Sequence, residues 1–115
     1  MDVRIRRIYE APSPDDGARV LVDRLWPRGV PKEAARLDDW PKALTPSDDL
    51  RRWYHGDGGD FEEFRRRYDA ELTAPEAAEA LDALRVRAGA GRVTLLTASK
   101  DVEHSHAAVL RDQLG

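Results

Sequence analysis

The amino-acid sequence predicts an α/β fold: a small, mostly parallel sheet of about three to four strands, flanked by about four to five helices, in a single domain over residues 1–115. Three observations carry that expectation. The chain of 115 residues has the length of one ordinary domain and buries enough surface to fold without staples. Two short apolar runs, Val20-Leu21-Val22 and Val93 to Leu96, show no clean alternation, the pattern of strands covered on both faces. Between them lie roughly 70 residues of mainly helical pattern, the kind of connection that parallel strands need.

The elements follow in order. From Val3 to Tyr9, Val3 and Ile5 share one face while Arg4 and Arg6 share the other, so the first strand reads as half-exposed. Pro12 to Gly17 is a loop punctuated by Pro, Asp and Gly, and it lets the first strand fold back antiparallel on the second. The second strand spans Ala18 to Leu25 and is stopped by Trp26-Pro27-Arg28-Gly29. Val30 to Pro46, with Pro31, Pro41 and Pro46, is expected to be irregular and pinned to the body by Leu37 and Trp40.

Ser47 reads as the N-cap of a short helix with Asp48 and Asp49 in its first turn and Leu50, Trp53 and Tyr54 on its apolar face. His55 closes that helix, and Gly56-Asp57-Gly58-Gly59 reads as a flexible linker or lid. Asp60 caps the next helix with Glu63 at capping-box spacing, and Phe61, Phe64, Tyr68 and Leu72 recur at helical spacing. Thr73 and Glu76 repeat the box around Pro75, opening a third helix with Leu81, Leu84 and Ala88 inward and Gly89 and Gly91 at its end. Val93 to Ala98 is the second buried strand. Ser99-Lys100-Asp101 turns the chain into a last helix from about Val102 to Leu114, with Asp101 as its N-cap and Ala107, Leu110 and Leu114 inward.

Composition narrows the chemistry. There is no cysteine, which excludes disulfides, thiolate catalysis and Cys-based zinc sites. Charged residues make up 36% of the chain, yet the net charge is only −3, which disfavours nucleic-acid binding through bulk charge. Sixteen of the nineteen basic residues are arginine, a side chain whose rigid fork suits carboxylate and phosphate. GC-rich codon usage explains the same bias without any anion. Met1 to Tyr9 does not read as a signal peptide, and no apolar run approaches the roughly 20 residues of a membrane span, so a cytoplasmic protein is expected.

Parallel strands put their carboxyl ends on one edge of the sheet, and open α/β sheets bind ligands there. One such end carries Asp23, Arg24, Trp26 and Arg28; the other carries Ser99 and Lys100 before a helix start, which attracts anions. The expected site therefore has Arg24, Arg28 and Lys100 as cationic donors, Ser99 as a hydroxyl and Trp26 as a flat wall. Asp23, directly after a buried run, reads first as a structural ion pair, and Trp26 first as core, with the ligand roles as alternatives. His55, His104 and His106 are the groups that titrate nearest neutrality. His104 and His106 stand two apart and cannot form the i, i+4 pair of a helical zinc site, so no metal is expected. His106 borders the inward stripe of the last helix and reads as a partly buried, hydrogen-bonded histidine, with cleft-facing acid–base work as the alternative. Asp23, His55 and His106 are the candidate catalytic groups. No Gly-x-Ser-x-Gly elbow and no phosphate loop ending in Lys-Ser or Lys-Thr occurs.

Five segments together resemble a known family: VLVDRLWPRG (20–29), Asp39-Trp40, TPSDDLRRWYHGD (45–57), FRRRYDAEL (64–72) and VTLLTASKDVEHSHAAVL (93–110). In this order they are similar to the YeaO-like branch of the bacterial DUF488 family of domains of unknown function. The resemblance implies that the family's motif positions are Asp23, Arg24, Trp26, Pro27, Arg28, Gly29, His55, Tyr68, Lys100 and His106. Tyr54-His55 stands where many relatives have Phe-His. The resemblance implies no particular activity and no cofactor. Three functions are then weighed. The first is an enzyme, or a degenerate one, that takes a small anionic or nucleotide-like ligand at the carboxyl ends of the buried strands. The second is a non-catalytic module that senses a ligand or contacts a protein. The least favoured is nucleic-acid binding through Arg51-Arg52 and Arg65-Arg66-Arg67. The oligomeric state is left open.

Overall fold

The computed structural model describes residues 1–56 and 59–115. Asp57 and Gly58 of the expected linker or lid lie outside the described residues. Three strands, β1 (Val3–Arg7), β2 (Ala18–Leu21) and β3 (Val93–Thr97), form one sheet in the order β1-β3-β2, and both pairings are parallel. Among the described residues five helices surround it: a single turn α1 (Lys32–Ala35), then α2 (Asp48–Gly56), α3 (Phe61–Glu71), α4 (Pro75–Ala90) and α5 (His106–Leu114).

The parallel pairing of β2 with β3 is as the two apolar runs predict. The expected antiparallel pairing of β1 with β2 is corrected: β1 pairs with β3, and β3 lies between them. The reason is burial. Every residue of β3 is buried and none is charged, whereas β1 is only half-buried and carries Arg4 and Arg6, and β2 carries Arg19, which needs the Asp16 carboxylate. The central place goes to the strand with no charge to accommodate. The outer edge of β2 is covered, because Leu21 N–H donates to the Asp39 carbonyl at 3.1 Å and Asp38 N–H to the Arg19 carbonyl at 2.8 Å.

Alternation along the strands divides the core. Val20, Val22, Val93 and Leu95 face α3, α4 and α5, where Phe64, Tyr68, Leu81, Leu84 and Leu110 pack against them. Leu21 and Leu96 face the other way, onto Ile8, Ala35, Leu37 and Trp40. Leu37 and Trp40 thus hold down the proline-rich segment as expected. Each fully buried Leu or Phe in these clusters contributes roughly 1.5–3 kcal/mol relative to exposure.

Helix ends show where local rules won. Ser47 caps α2, its Oγ accepting from Leu50 N–H at 3.1 Å, and Asp60 caps α3. The two expected capping boxes do not form. Glu63 is drawn away by Arg66 and Arg67, and the Thr73 hydroxyl donates to the Ala70 carbonyl, leaving Ala74 at the N-cap of α4. A complete box forms instead at Ser13 and Asp16 in the loop before β2. The last helix also starts later than Val102: a 3₁₀ turn spans Val102–His104, and Ser105, not Asp101, caps α5 by accepting from Ala107 N–H at 3.2 Å. Asp101 is occupied elsewhere, since its carboxylate meets His104 Nδ1 at 2.8 Å.

Candidate functional site

β2 stops at Leu21, but the backbone runs on beside β3 for one more pairing, Val22 N–H to the Leu96 carbonyl at 3.1 Å. That extension places Asp23 against the end of β3. Its Oδ1 accepts from the Thr97 hydroxyl at 2.7 Å and its Oδ2 from Ala98 N–H at 2.8 Å. His106, the first residue of α5, brings Nε2 to 3.0 Å from Asp23 Oδ1. With the proton on Nε2, His106 donates to Asp23 and keeps Nδ1 as an acceptor. Both side chains are mostly buried. Burial by itself raises the Asp23 pKa, but His106 and the Ala98 and Thr97 donors outweigh it, so Asp23 stays ionised below the ordinary carboxylate range.

The loop after Asp23 is fastened on both sides. Trp40 Nε1 donates to the Asp23 carbonyl at 2.6 Å, and Trp26 Nε1 donates to the Val30 carbonyl at 2.8 Å. The Trp26 and Trp40 rings meet edge to face at 5.4 Å. Trp26 therefore packs in the smaller core as well as lining the cleft described next. Opposite, the Arg7 guanidinium donates to the Ala98 and Ser99 carbonyls at 3.3 and 3.2 Å, holding the tail of β3.

The two tails open onto one hollow of about 350 Å³, bordered by Asp23, Arg24, Trp26 and Arg28 from one side and Ala98 and Ser99 from the other. A second hollow of about 400 Å³ adjoins it, with Tyr54, Lys100, Asp101 and His104 in its wall. Pro46, Arg51, His55, Ser99 and His106 border both, so the two are lobes of one cleft. Every residue singled out as a candidate from the sequence lies in this lining. Arg24 is partly engaged, donating to Thr45 Oγ1 at 3.1 Å and standing 3.9 Å from Asp48. The Arg28 guanidinium and the Lys100 ammonium are exposed and have no ion-pair partner among the described residues.

Sequence reasoning missed Arg51 as a cleft residue and grouped it with Arg52, Arg65, Arg66 and Arg67 as a basic face. The helical spacing of Arg51, Tyr54 and His55, at i, i+3 and i+4, is the signal that puts them on one face. The basic face itself is matched by acids. Arg51 meets Asp48 at 3.0 Å, Arg52 meets Asp49 at 2.7 Å and Arg65 meets Asp112 at 2.9 Å. Arg66 and Arg67 share Glu63, and Arg67 also lies over the Trp53 ring. Among the described residues no group of three His, Asp or Glu side chains is arranged to hold a metal, and no helix is long and apolar enough to cross a membrane.

Over residues 2–115 the chain matches DUF488-N3i, described as the inactive DUF488-N3 subclade. It is 47% identical over 112 residues to the uncharacterized protein Rv3073c of Mycobacterium tuberculosis (strain ATCC 25618 / H37Rv), a match covering 97% of this chain and 92% of that protein. It is 41% identical over 114 residues to the uncharacterized protein YeaO of Escherichia coli (strain K12), covering 99% and 97% respectively. No solved structure matches.

Proposed function

We propose, on the premise that the chain belongs to the DUF488 family within its inactive DUF488-N3 subclade, that it is a degenerate enzyme that binds a small anionic or nucleotide-like ligand without turning it over. The carrying observation is the exposed Arg28 guanidinium, without an ion-pair partner among the described residues, beside the joined tails of β2 and β3, with Arg24 and Arg51 in the same wall. A guanidinium offers five donors and no acceptor, so its complement is an oxyanion. The description of the subclade as inactive supports binding over turnover.

The test is calorimetric titration with inorganic phosphate, pyrophosphate and nucleoside monophosphates, with each bound compound analysed afterwards for conversion. Saturable binding of at least one, recovered intact, is expected. Arg28→Ala is expected to weaken it about tenfold or more, while moving the melting temperature by no more than about a degree or two. Unchanged affinity in that variant removes the cleft as the site. A melting temperature lower by many degrees makes Arg28 structural.

One observation favours a second reading, in which the cleft retains catalysis. His106 borders both lobes and Asp23 one of them, and the pair has the geometry of an oriented base, a proton-transfer group needing to come within about 3 Å of its substrate atom. Conversion of a bound compound that is lost in both Asp23→Asn and His106→Ala establishes it.

A further inference from the structure

At the other end of the sheet, where the strands begin, the loop before β2 carries a different arrangement. Asp16 is fully buried and its acceptor sites are filled: Arg4 and Arg6 donate to Oδ1, and Arg19 Nη1 and Ser13 N–H to Oδ2. One carboxylate thus faces three guanidinium groups, with Glu10 relieving only Arg6. Arg19 is itself 5% exposed, and its Nε donates to the Ala35 carbonyl at 3.0 Å. Its Nη2 has no partner, and among the described residues it is the one buried side-chain nitrogen or oxygen in that condition. A buried donor left without an acceptor is costly, and native structures ordinarily supply one.

The planarity of the guanidinium says where the acceptor belongs. Nη2 shares an edge with Nε, so it faces the end of α1, where Ala35 is followed by Arg36. Arg36 holds the left-handed conformation, with φ 48° and ψ 52°, that ordinarily goes to Gly or Asn. Arg19 and Arg36, together with Pro12, Ser13 and Pro14, border a hollow of about 430 Å³. Asp16 already takes Arg19 Nη1, Asp38 accepts from the Arg19 backbone N–H at 2.8 Å, and Asp15 is exposed.

We infer that this hollow is a second binding site, for a small oxyanion, seated between Arg19 Nη2 and the Arg36 guanidinium. Both groups only donate, so the ligand must present acceptor oxygens and negative charge. Ser13 also lines the hollow. Because Nη2 is covered, binding draws the Arg19 guanidinium toward the hollow, and its Nε resonance reports the movement. The site shares no lining residue with the cleft, so it stands whatever the cleft binds.

The experiment is a titration of the isotope-labelled full chain with inorganic phosphate, followed by nuclear magnetic resonance. Saturable shifts are expected at Ser13, Arg36 and Arg19 Nε. Arg36→Asn, which suits the left-handed backbone, should weaken that set about tenfold and leave shifts at Ser99 and Lys100 unchanged; Arg36→Lys should retain most of the binding. Arg28→Ala should do the reverse, sparing Ser13 and Arg19. No movement at Ser13, Arg19 and Arg36, or equal movement in Arg36→Asn, overturns the inference and leaves Nη2 to water.

Discussion

Two aspartates organise this molecule, and their side chains are used in opposite ways. Asp23 binds one histidine and two neutral donors at the mouth of a cleft. Asp16 is sealed beneath the loop before β2 and neutralises arginines from both edge strands, Arg4 and Arg6 on β1 and Arg19 on β2. Removing the Asp16 charge leaves Arg4 and Arg19 with no counter-ion among the described residues and Arg6 with Glu10 alone. Asp16→Asn is therefore expected to cost about 3–5 kcal/mol, the penalty of breaking a buried pair on one side, read from the midpoint of urea unfolding. A loss below about 1 kcal/mol, the range of exposed pairs, would mean that water already screens the cluster. Both aspartates were legible as loop or strand-end residues. Neither partner set was, because Arg4, Arg6 and His106 come from other elements and only Arg19 is close along the chain.

At the scale of elements, starts and stops decide the register. Gly17 has φ +64°, and a Cβ there would stand 2.2 Å from the Arg92 carbonyl oxygen. That same carbonyl accepts from Ala18 N–H at 2.9 Å, the contact that seats β2 against the approach to β3. Gly17→Ala is expected to destabilise by more than about 1 kcal/mol, because left-handed strain and a backbone clash add. The start of α5 gives a paired test. Ser105→Ala should cost about 1 kcal/mol as a lost N-cap, and Asp101→Ala only a few tenths, since Asp101 meets only the exposed His104. Equal losses would restore Asp101 as the cap. The sequence reading took Asp101, four residues before Ser105, as the cap, and propensity ranks Asp and Ser alike. Ser105 wins because the chain must complete a 3₁₀ turn before His106 can reach Asp23.

For the molecule as a whole, both ends of the sheet depend on ionised carboxylates, and the pH dependence follows. Burial would raise the Asp16 pKa, but the Ser13 N–H and Arg6, Arg4 and Arg19 overcome it and hold it far below its ordinary 3.8. Asp23 is lowered from the same 3.8 by His106 and the donors at the end of β3, again against burial. A carboxylate with a depressed folded pKa takes up its proton first in the unfolded chain. Its stabilisation is complete above the unfolded value and is lost as the pH falls through the folded one. Stability is thus expected to be level above about pH 5 and to fall steadily below about pH 4. The measurement is the urea midpoint between those limits and about pH 2. Asp16→Asn should flatten most of the fall, and an unflattened curve would place the acid-labile groups elsewhere.

What the sequence determined by itself is whatever neighbours along the chain decide. The short apolar runs Val20 to Val22 and Val93 to Leu96, without clean alternation, made two buried parallel strands, and the Asp23 to Gly29 segment marked both the family and one wall of the cleft. Helical spacing placed the stripes of α3, α4 and α5. Only the tertiary structure decided that β3 lies between β1 and β2, that Asp23 meets His106, that Arg51 turns into the cleft and that Arg19 keeps a donor without an acceptor. Each of these joins residues from separate segments, and the energy that selects them, the matching of charge and burial across space, has no period along the chain to read.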